Sequence, residues 1–480
     1  MNSTAQLRRQ GTKLLRRRTT RSLSIYSGAG PSARLTGASH TSAPSLASLA
    51  VPLMFAPVFW GTHSLRINLG YLCGGGILAE EFAVHASLLV CGLGAFFLFV
   101  AGGVQRSVRW FAIYAACWLT LSCLYGLRIE SGWPNVLFYL QTLTPVFALA
   151  AGNRIASSPR DVQRLNRLTP FVTVASLTLI WVFAITKFGT GALLHERMRV
   201  IHDLAVLIPQ YQNYYPFCVV ISFNFALANY LYGQRSSRTL TVLAAHGLIL
   251  PLCWSRTALL GFAASALVQS IVRSLASRGG GGRILSLAFC AIAAAPFVWS
   301  AMGVTERMEA IGAADVADSD YRRWDYLLEG LTRSWNAPLF GDAFVPARDT
   351  AASHAADAVP RLFHAHNQYV DLLLRGGWLY AIALVAFGVQ AARRLWSVLR
   401  ARSDTIPTSV RASASASLGT LAAAAVGANF QLFFIQLQTA TPLFFVLGAA
   451  YRLAQLHRSG RSRISFQKAP ETRRRLSPVA

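Results

Sequence analysis

Phe363-His364-Ala365-His366-Asn367-Gln368-Tyr369-Val370-Asp371 runs at once into Leu372-Leu373-Leu374 and an apolar stretch through Gly377 to Val389. The reading of the chain turns on this junction. A polar patch closes the longest hydrophilic interval, Thr305 to about Gln368, and the sequence that follows it has the length and composition of a membrane span. Segments of the same kind recur along the chain, at roughly 45–62, 84–103, 108–126, 134–151, 168–187, 213–233, 239–254, 257–274, 284–303, 371–390, 411–428 and 431–450. That periodic return predicts an all-α, polytopic membrane protein of about twelve transmembrane helices.

Composition agrees. The 480 residues are 54% hydrophobic and only 13% charged, with a mean hydropathy of +0.41. Soluble domains carry about 25% charged residues. The net charge of +26 raises the possibility of nucleic acid, but its distribution speaks against that. Basic residues gather in the two tails and in alternate loops, the pattern that holds segments in the cytoplasm. Arg8, Arg9, Lys13, Arg16, Arg17, Arg18, Arg21 and Arg34 precede the first acid, Glu80. Arg106 and Arg109, then Arg154 to Arg167, Arg235 and Arg238, Arg273 to Arg283, and Arg393 to Arg411 mark every second connection. Both termini are therefore expected inside, touching anionic lipid, and 63–83, 188–212 and 304–370 outside. The seven cysteines fall almost wholly in apolar segments with no CxxC spacing, so they read as small core residues.

The expected organisation is a disordered basic cytoplasmic arm (1–43), transmembrane helices one to nine (44–303), an outward loop (304–370), transmembrane helices ten to twelve (371–450) and a basic cytoplasmic tail (451–480). The arm is too long and too basic, with no adjoining apolar stretch, to read as a cleavable signal. Eleven of the nineteen acidic residues lie between Glu306 and Asp371, so the loop belongs in water. Within it Trp324, Leu327, Leu328 and Leu331 recur at helical spacing, which predicts an amphipathic helix over 321–335, suited to the membrane–water boundary. Asp318 or Ser319 would cap it; Pro338 and Gly341 would end it.

This topology gathers basic groups on the outer side. Arg197 and Arg199 lie in the 188–212 loop, Arg256 between spans seven and eight, Arg322 and Arg323 in the loop helix, and His364 and His366 before span ten. Arginine stays charged and grips phosphate oxygens as a fork, whereas histidine titrates near neutrality and can take a proton from a hydroxyl. The start of span ten would add helix N–H groups and a positive dipole end. The combination suits an anionic substrate with a hydroxyl to activate. Paired histidines also raise zinc, for which His354, Asp357 and Asp371 would be needed, but no ligand-spacing signature accompanies them. A twelve-helix transporter of an anionic or lipid-linked substrate is the other class open at this point. Against it, no repeated halves are visible.

The run His366-Asn367-Gln368-Tyr369-Val370-Asp371-Leu372-Leu373-Leu374-Arg375-Gly376-Gly377 resembles the His-Asn signature of the O-antigen ligase and polymerase family. Arg323 with Tyr326-Leu327, and fifteen residues on Pro338-Leu339-Phe340-Gly341, is similar to that family's loop-helix arginine and its Pro-Leu-Phe-Gly corner. Ser255-Arg256-Thr257-Ala258-Leu259-Leu260 resembles its Ser-Arg motif, and Arg197, Arg199 and Asn213 its arginine-containing loop. The likeness covers roughly 190–390 in order; Asp342 departs from the small residue usual after the corner.

The resemblance implies a GT-C-like membrane glycosyltransferase whose periplasmic loop is catalytic. Its donor would be a glycan on undecaprenyl diphosphate, and its acceptor lipid A core or a growing lipopolysaccharide or exopolysaccharide chain. No metal or cofactor would be required. Arg256, Arg323, Arg197 and Arg199 would hold the diphosphate, and His366 would act on the acceptor hydroxyl. Asn367, Tyr369, Arg322, Asn213 and His364 would support them. The register of the corner favours Arg323 over Arg322.

Overall fold

The computed structural model describes residues 50–51, 67–68, 83–84, 87–129, 133–195, 215–233, 236–252, 255–276, 313–341, 365, 367–401, 406–429 and 437–468, all in one compact unit, Ser45–Ala480. The expected spans at 45–62 (apart from Ala50 and Val51) and 284–303, the arm 1–43 and the end of the tail lie outside them. Apart from a two-residue antiparallel pairing of Ile67–Asn68 with Ala83–Val84, the regular structure among the described residues is helical.

In chain order the helices are α1 (Ser87–Phe96, continued by a π turn, Phe97–Ala101), α2 (Arg106–Ile129), α3 (Trp133–Ile155), α4 (Pro159–His195), α5 (Tyr215–Tyr232), α6 (Ser237–Leu252), α7 (Arg256–Ala276), α8 (Ala313–Asn336), α9 (Gln368–Arg400), α10 (Thr408–Gly427) and α11 (Leu437–Lys468). Among the described residues three helical segments are long and apolar enough to cross a membrane: Arg106–Gly126, Thr257–Leu275 and Gln368–Arg400. The bent pair Pro159–Leu179 and Ala184–Thr190 makes a fourth if it acts as one span. The remaining helices fall below that measure for want of length or hydropathy; α10 is largely Ala and Ser, and apolar α5 is short.

Helices α5 and α10 form the centre. Both are buried almost all round, as expected of helices with no solvent or lipid face. Side chains buried between them are paired. Gln269 of α7 donates through Nε2 to Asn224 Oδ1 of α5 (2.8 Å) and accepts at Oε1 from Ser415 Oγ of α10 (3.3 Å), while Asn224 Nδ2 donates to Thr420 Oγ1 (3.3 Å). Buried as they are, such bonds set the register of neighbouring helices. Asn166 of α4 performs the same task nearer the start of α10, donating to the Ser409 carbonyl (2.8 Å) and accepting at its own carbonyl from Asn229 Nδ2 (2.6 Å). Helices α3 and α11 meet backbone to backbone, with Gly152 against the Phe445 carbonyl and Gly448 against that of Leu149.

Three elements differ from the sequence expectation. Helix α8 starts at Ala313, so Asp318 and Ser319 lie inside it instead of capping it. Helix α11 runs through Lys468, beyond the expected 431–450. Span ten starts at Gln368, ends at Arg400, and is broken at Gly377, which adopts φ 67°, ψ −174°.

Candidate functional site

The beginning of α9 is held by its own cap and by the end of α10. Asn367 stands in extended conformation, and its Oδ1 accepts the N–H groups of Tyr369 (3.0 Å) and Val370 (3.3 Å). The Gln368 N–H donates to the Ala428 carbonyl (2.8 Å), Asn367 Nδ2 to that of Asn429 (3.3 Å), and Tyr369 Oη to that of Ala425 (2.8 Å). The Asp371 N–H closes the first turn on the Asn367 carbonyl (3.0 Å). This corrects one expectation. Three of the four N–H groups that a helix start leaves open are already taken, so the site end of α9 offers a dipole but few donors to a phosphate.

Arg256 is the first residue of α7. Ser255 precedes it as a cap, its Oγ accepting the Ala258 N–H (3.3 Å). Helix α7 lies antiparallel to α10: the Gly261 position faces Ala423, and Gln269 faces Gly419 and Ser415. Continued over one more turn at about 1.5 Å per residue, that register brings the start of α7 to Ala428, where α9 also starts. The Arg256 helix end and the Asn367 cap therefore share one end of the bundle.

Helix α8 brings the third component. Tyr326 and Leu327 pack on Ala365, Val370 and Leu374 of the α9 approach, and Gly330 and Ser334 are buried. These positions define one face of α8. Arg323 falls on that face, one turn before Leu327 and exposed. The Arg322 position falls about 100° away, on the side of Asp325 and Glu329. The helix register thus separates the two arginines, and Arg323 is the one on the α9 side.

A joint below this end fixes α8 against α9. After Asn336 the chain turns through Pro338-Leu339-Phe340-Gly341 and seats on the break at Gly377. The Trp378 N–H donates to the Pro338 carbonyl (2.9 Å). Gly341 has φ 70°, and a Cβ there would collide with the Leu374 carbonyl; one on Gly377 would collide with that of Leu339. Helix α2 closes the joint from the other side. Trp118 Nε1 donates to the Gly376 carbonyl (2.6 Å), and Ser122 Oγ bonds the carbonyls of Arg375 (2.6 Å) and Phe340. The Phe340 ring lies 5.4 Å from Trp118 and 5.7 Å from Tyr125. A broken helix exposes carbonyls that must find donors, and α2 supplies them.

Inside the first turns of α9, Asp371 Oδ2 and Arg375 Nε form an ion pair at 3.0 Å with both side chains buried. Asp371 is thereby committed to an arginine, which corrects its candidacy as a zinc ligand. Among the described residues no group of three His, Cys, Asp or Glu comes together. Arg375 escaped the reading of the residues, although a lone arginine between Leu374 and Gly376 in an apolar run was signal enough. His366, Arg197, Arg199, Asn213 and His364 lie outside the described residues, as do His354 and Asp357. The neighbours of His366 are both anchored: Ala365 is buried against Tyr326 and Leu327, and Asn367 is the cap.

The start of α7, the cap of α9 and the Arg323 face of α8 thus lie at one end of the bundle. No protein-family model matches the chain, and no curated protein matches it significantly.

Proposed function

We propose that this protein is a polytopic membrane glycosyltransferase of the O-antigen ligase and polymerase type. It takes a glycan from undecaprenyl diphosphate and passes it to an acceptor hydroxyl at the periplasmic face of a bacterial inner membrane. The acceptor is lipid A core for a ligase, or the growing chain for an O-antigen or exopolysaccharide polymerase. In this reading the chain crosses the membrane about twelve times, with 45–62 and 284–303 among the spans and both termini in the cytoplasm. The observation that supports it is the shared location of the Arg256 helix start, the Asn367 cap and the Arg323 face of α8, three motifs far apart in sequence.

The chemistry is a single displacement. His366 takes the proton of the acceptor hydroxyl as its oxygen bonds to the anomeric carbon, and the bond from that carbon to the diphosphate oxygen breaks with inversion. Arg256 and Arg323, joined by Arg197 and Arg199, stabilise the charge that develops on the departing diphosphate. The diphosphate remains on its lipid carrier. No metal is required, because guanidinium groups supply the positive charge.

Deleting the protein and examining surface glycans tests this. Polymer retained on its lipid carrier, with bare lipid A core, identifies a ligase; single repeat units identify a polymerase; unchanged glycans overturn the proposal. His366→Ala should reproduce the deletion while the protein stays in the membrane. Full activity in that variant would remove histidine from the mechanism.

A further inference from the structure

We propose that α8 is an interfacial helix whose exposed apolar stripe lies on the lipid bilayer, at the boundary between headgroups and acyl chains. The inference does not depend on the glycan chemistry.

The sequence groups Trp324, Leu327, Leu328 and Leu331 as one apolar face. The structure divides them. Leu327 packs on α9 together with Tyr326, whereas Trp324, Leu328, Leu331 and Trp335 are left 59%, 46%, 42% and 76% exposed. At about 100° per residue these four fall within an arc of about 60°. Asp325 and Glu329 lie on a different side, and the face that meets the protein is the one bearing Gly330 and Ser334. Helix α8 is therefore already seated, and a second apolar face remains. A stripe with two tryptophans and two leucines in a row marks a contact surface.

What covers it follows from what it joins. The Trp335 ring meets Trp378 of α9 edge to face, with centroids 6.5 Å apart. Trp378 heads an exposed row on α9, Leu379, Ile382, Val385 and Val389, on a helix with the length and hydropathy of a membrane span. The two rows are one continuous apolar surface, so the lipid that wets the α9 face extends onto α8. The break at Gly377 gives the depth. Between the break and Arg393-Arg394, Trp378–Ala392 covers ~22 Å at about 1.5 Å per residue, the greater part of a hydrocarbon core of about 30 Å, and the long arginine side chains reach the far headgroups. The break, with α8 beside it, then falls near the opposite boundary. Trp335 and Trp378 sit together at the level where tryptophan collects. Leu339 of the corner, 56% exposed, extends the same patch.

The test uses the full chain in nanodiscs of phosphatidylethanolamine and phosphatidylglycerol. Photoreactive benzoylphenylalanine replaces Leu328 or Leu331 on the stripe, or Asp325 or Glu329 on the polar side. Only variants that remain monodisperse in size exclusion are irradiated, and adducts are read by mass spectrometry. Phospholipid adducts at 328 and 331, several-fold above those at 325 and 329, are expected. Equal yields at all four positions, or no lipid adduct at 328 and 331, would place the stripe in water. Crosslinks from 328 and 331 to a second copy of the chain would make it a protein interface. Either result overturns the proposal.

Discussion

Replacing Gly377 by alanine tests whether the joint between the Pro338–Gly341 corner and the broken α9 holds the site together. At φ 67°, ψ −174° this residue occupies backbone space used almost only by glycine. Forcing a side chain there costs of order 1–3 kcal/mol. The new Cβ would collide with the Leu339 carbonyl and press on that of Pro338, which accepts the Trp378 N–H at 2.9 Å. Losing that bond adds about 1 kcal/mol. A combined effect of about 3 kcal/mol corresponds to about two powers of ten in the ratio of seated to unseated corner. Arg323 is carried by the helix that ends in this corner, and Asn367 caps the helix that contains the break. Glycan transfer by the purified protein should therefore fall by a similar factor, with a lowered Tm. Gly388→Ala is the matched control: it lies in the same helix with open space where its Cβ would go. It should leave activity unchanged and, since alanine favours helix by about 1 kcal/mol over glycine, hold or raise the Tm. Wild-type rate and Tm in Gly377→Ala would refute the role given to the joint.

Under the proposed mechanism Arg323→Lys should impair transfer markedly, because lysine keeps the charge but loses the two-pronged grip that arginine would have on phosphate; Arg322→Lys should be nearly silent, and kinetics of the two purified variants side by side decide it. Asp371→Asn leaves the buried Arg375 charge without its carboxylate and should destabilise the protein by about 3–5 kcal/mol, whereas Asp371→Leu with Arg375→Met should recover much of the loss; thermal unfolding of the single and double variants measures both. Transfer by the purified protein should persist in chelator, and restoration by divalent ions after a loss in chelator would reverse the metal-free mechanism.

Much of the frame is legible in local sequence. Helical apolar runs, Ser255 before Arg256, and Pro338 and Gly341 at the end of α8 are each signalled by residues within a turn or two of the feature. The corner and the Gly376-Gly377 pair are both visible as motifs, but their contact is not. It joins positions some forty residues apart and depends on Trp118 and Ser122, from a helix more than 200 residues earlier. The loop helix illustrates the limit on a smaller scale. Periodicity finds its apolar residues, yet cannot say that Leu327 faces protein while Leu328 and Leu331 do not.

His366-Asn367 stood out in the sequence because the longest hydrophilic interval closes there and an apolar run follows, and hydropathy and charge are properties a chain carries without folding. By itself the sequence determined that this is a helical chain of membrane character, with basic and polar groups collected in particular connections. Tertiary structure decided the rest. It brought the start of α7 to the start of α9 through the register of both on α10, and gave Arg323 instead of Arg322 to the α9 side of α8. It also occupied N–H groups at the Asn367 cap that the sequence reading left open to a phosphate. Those outcomes depend on which helix end meets which, and on which donors are already satisfied, and both are settled only when distant segments pack.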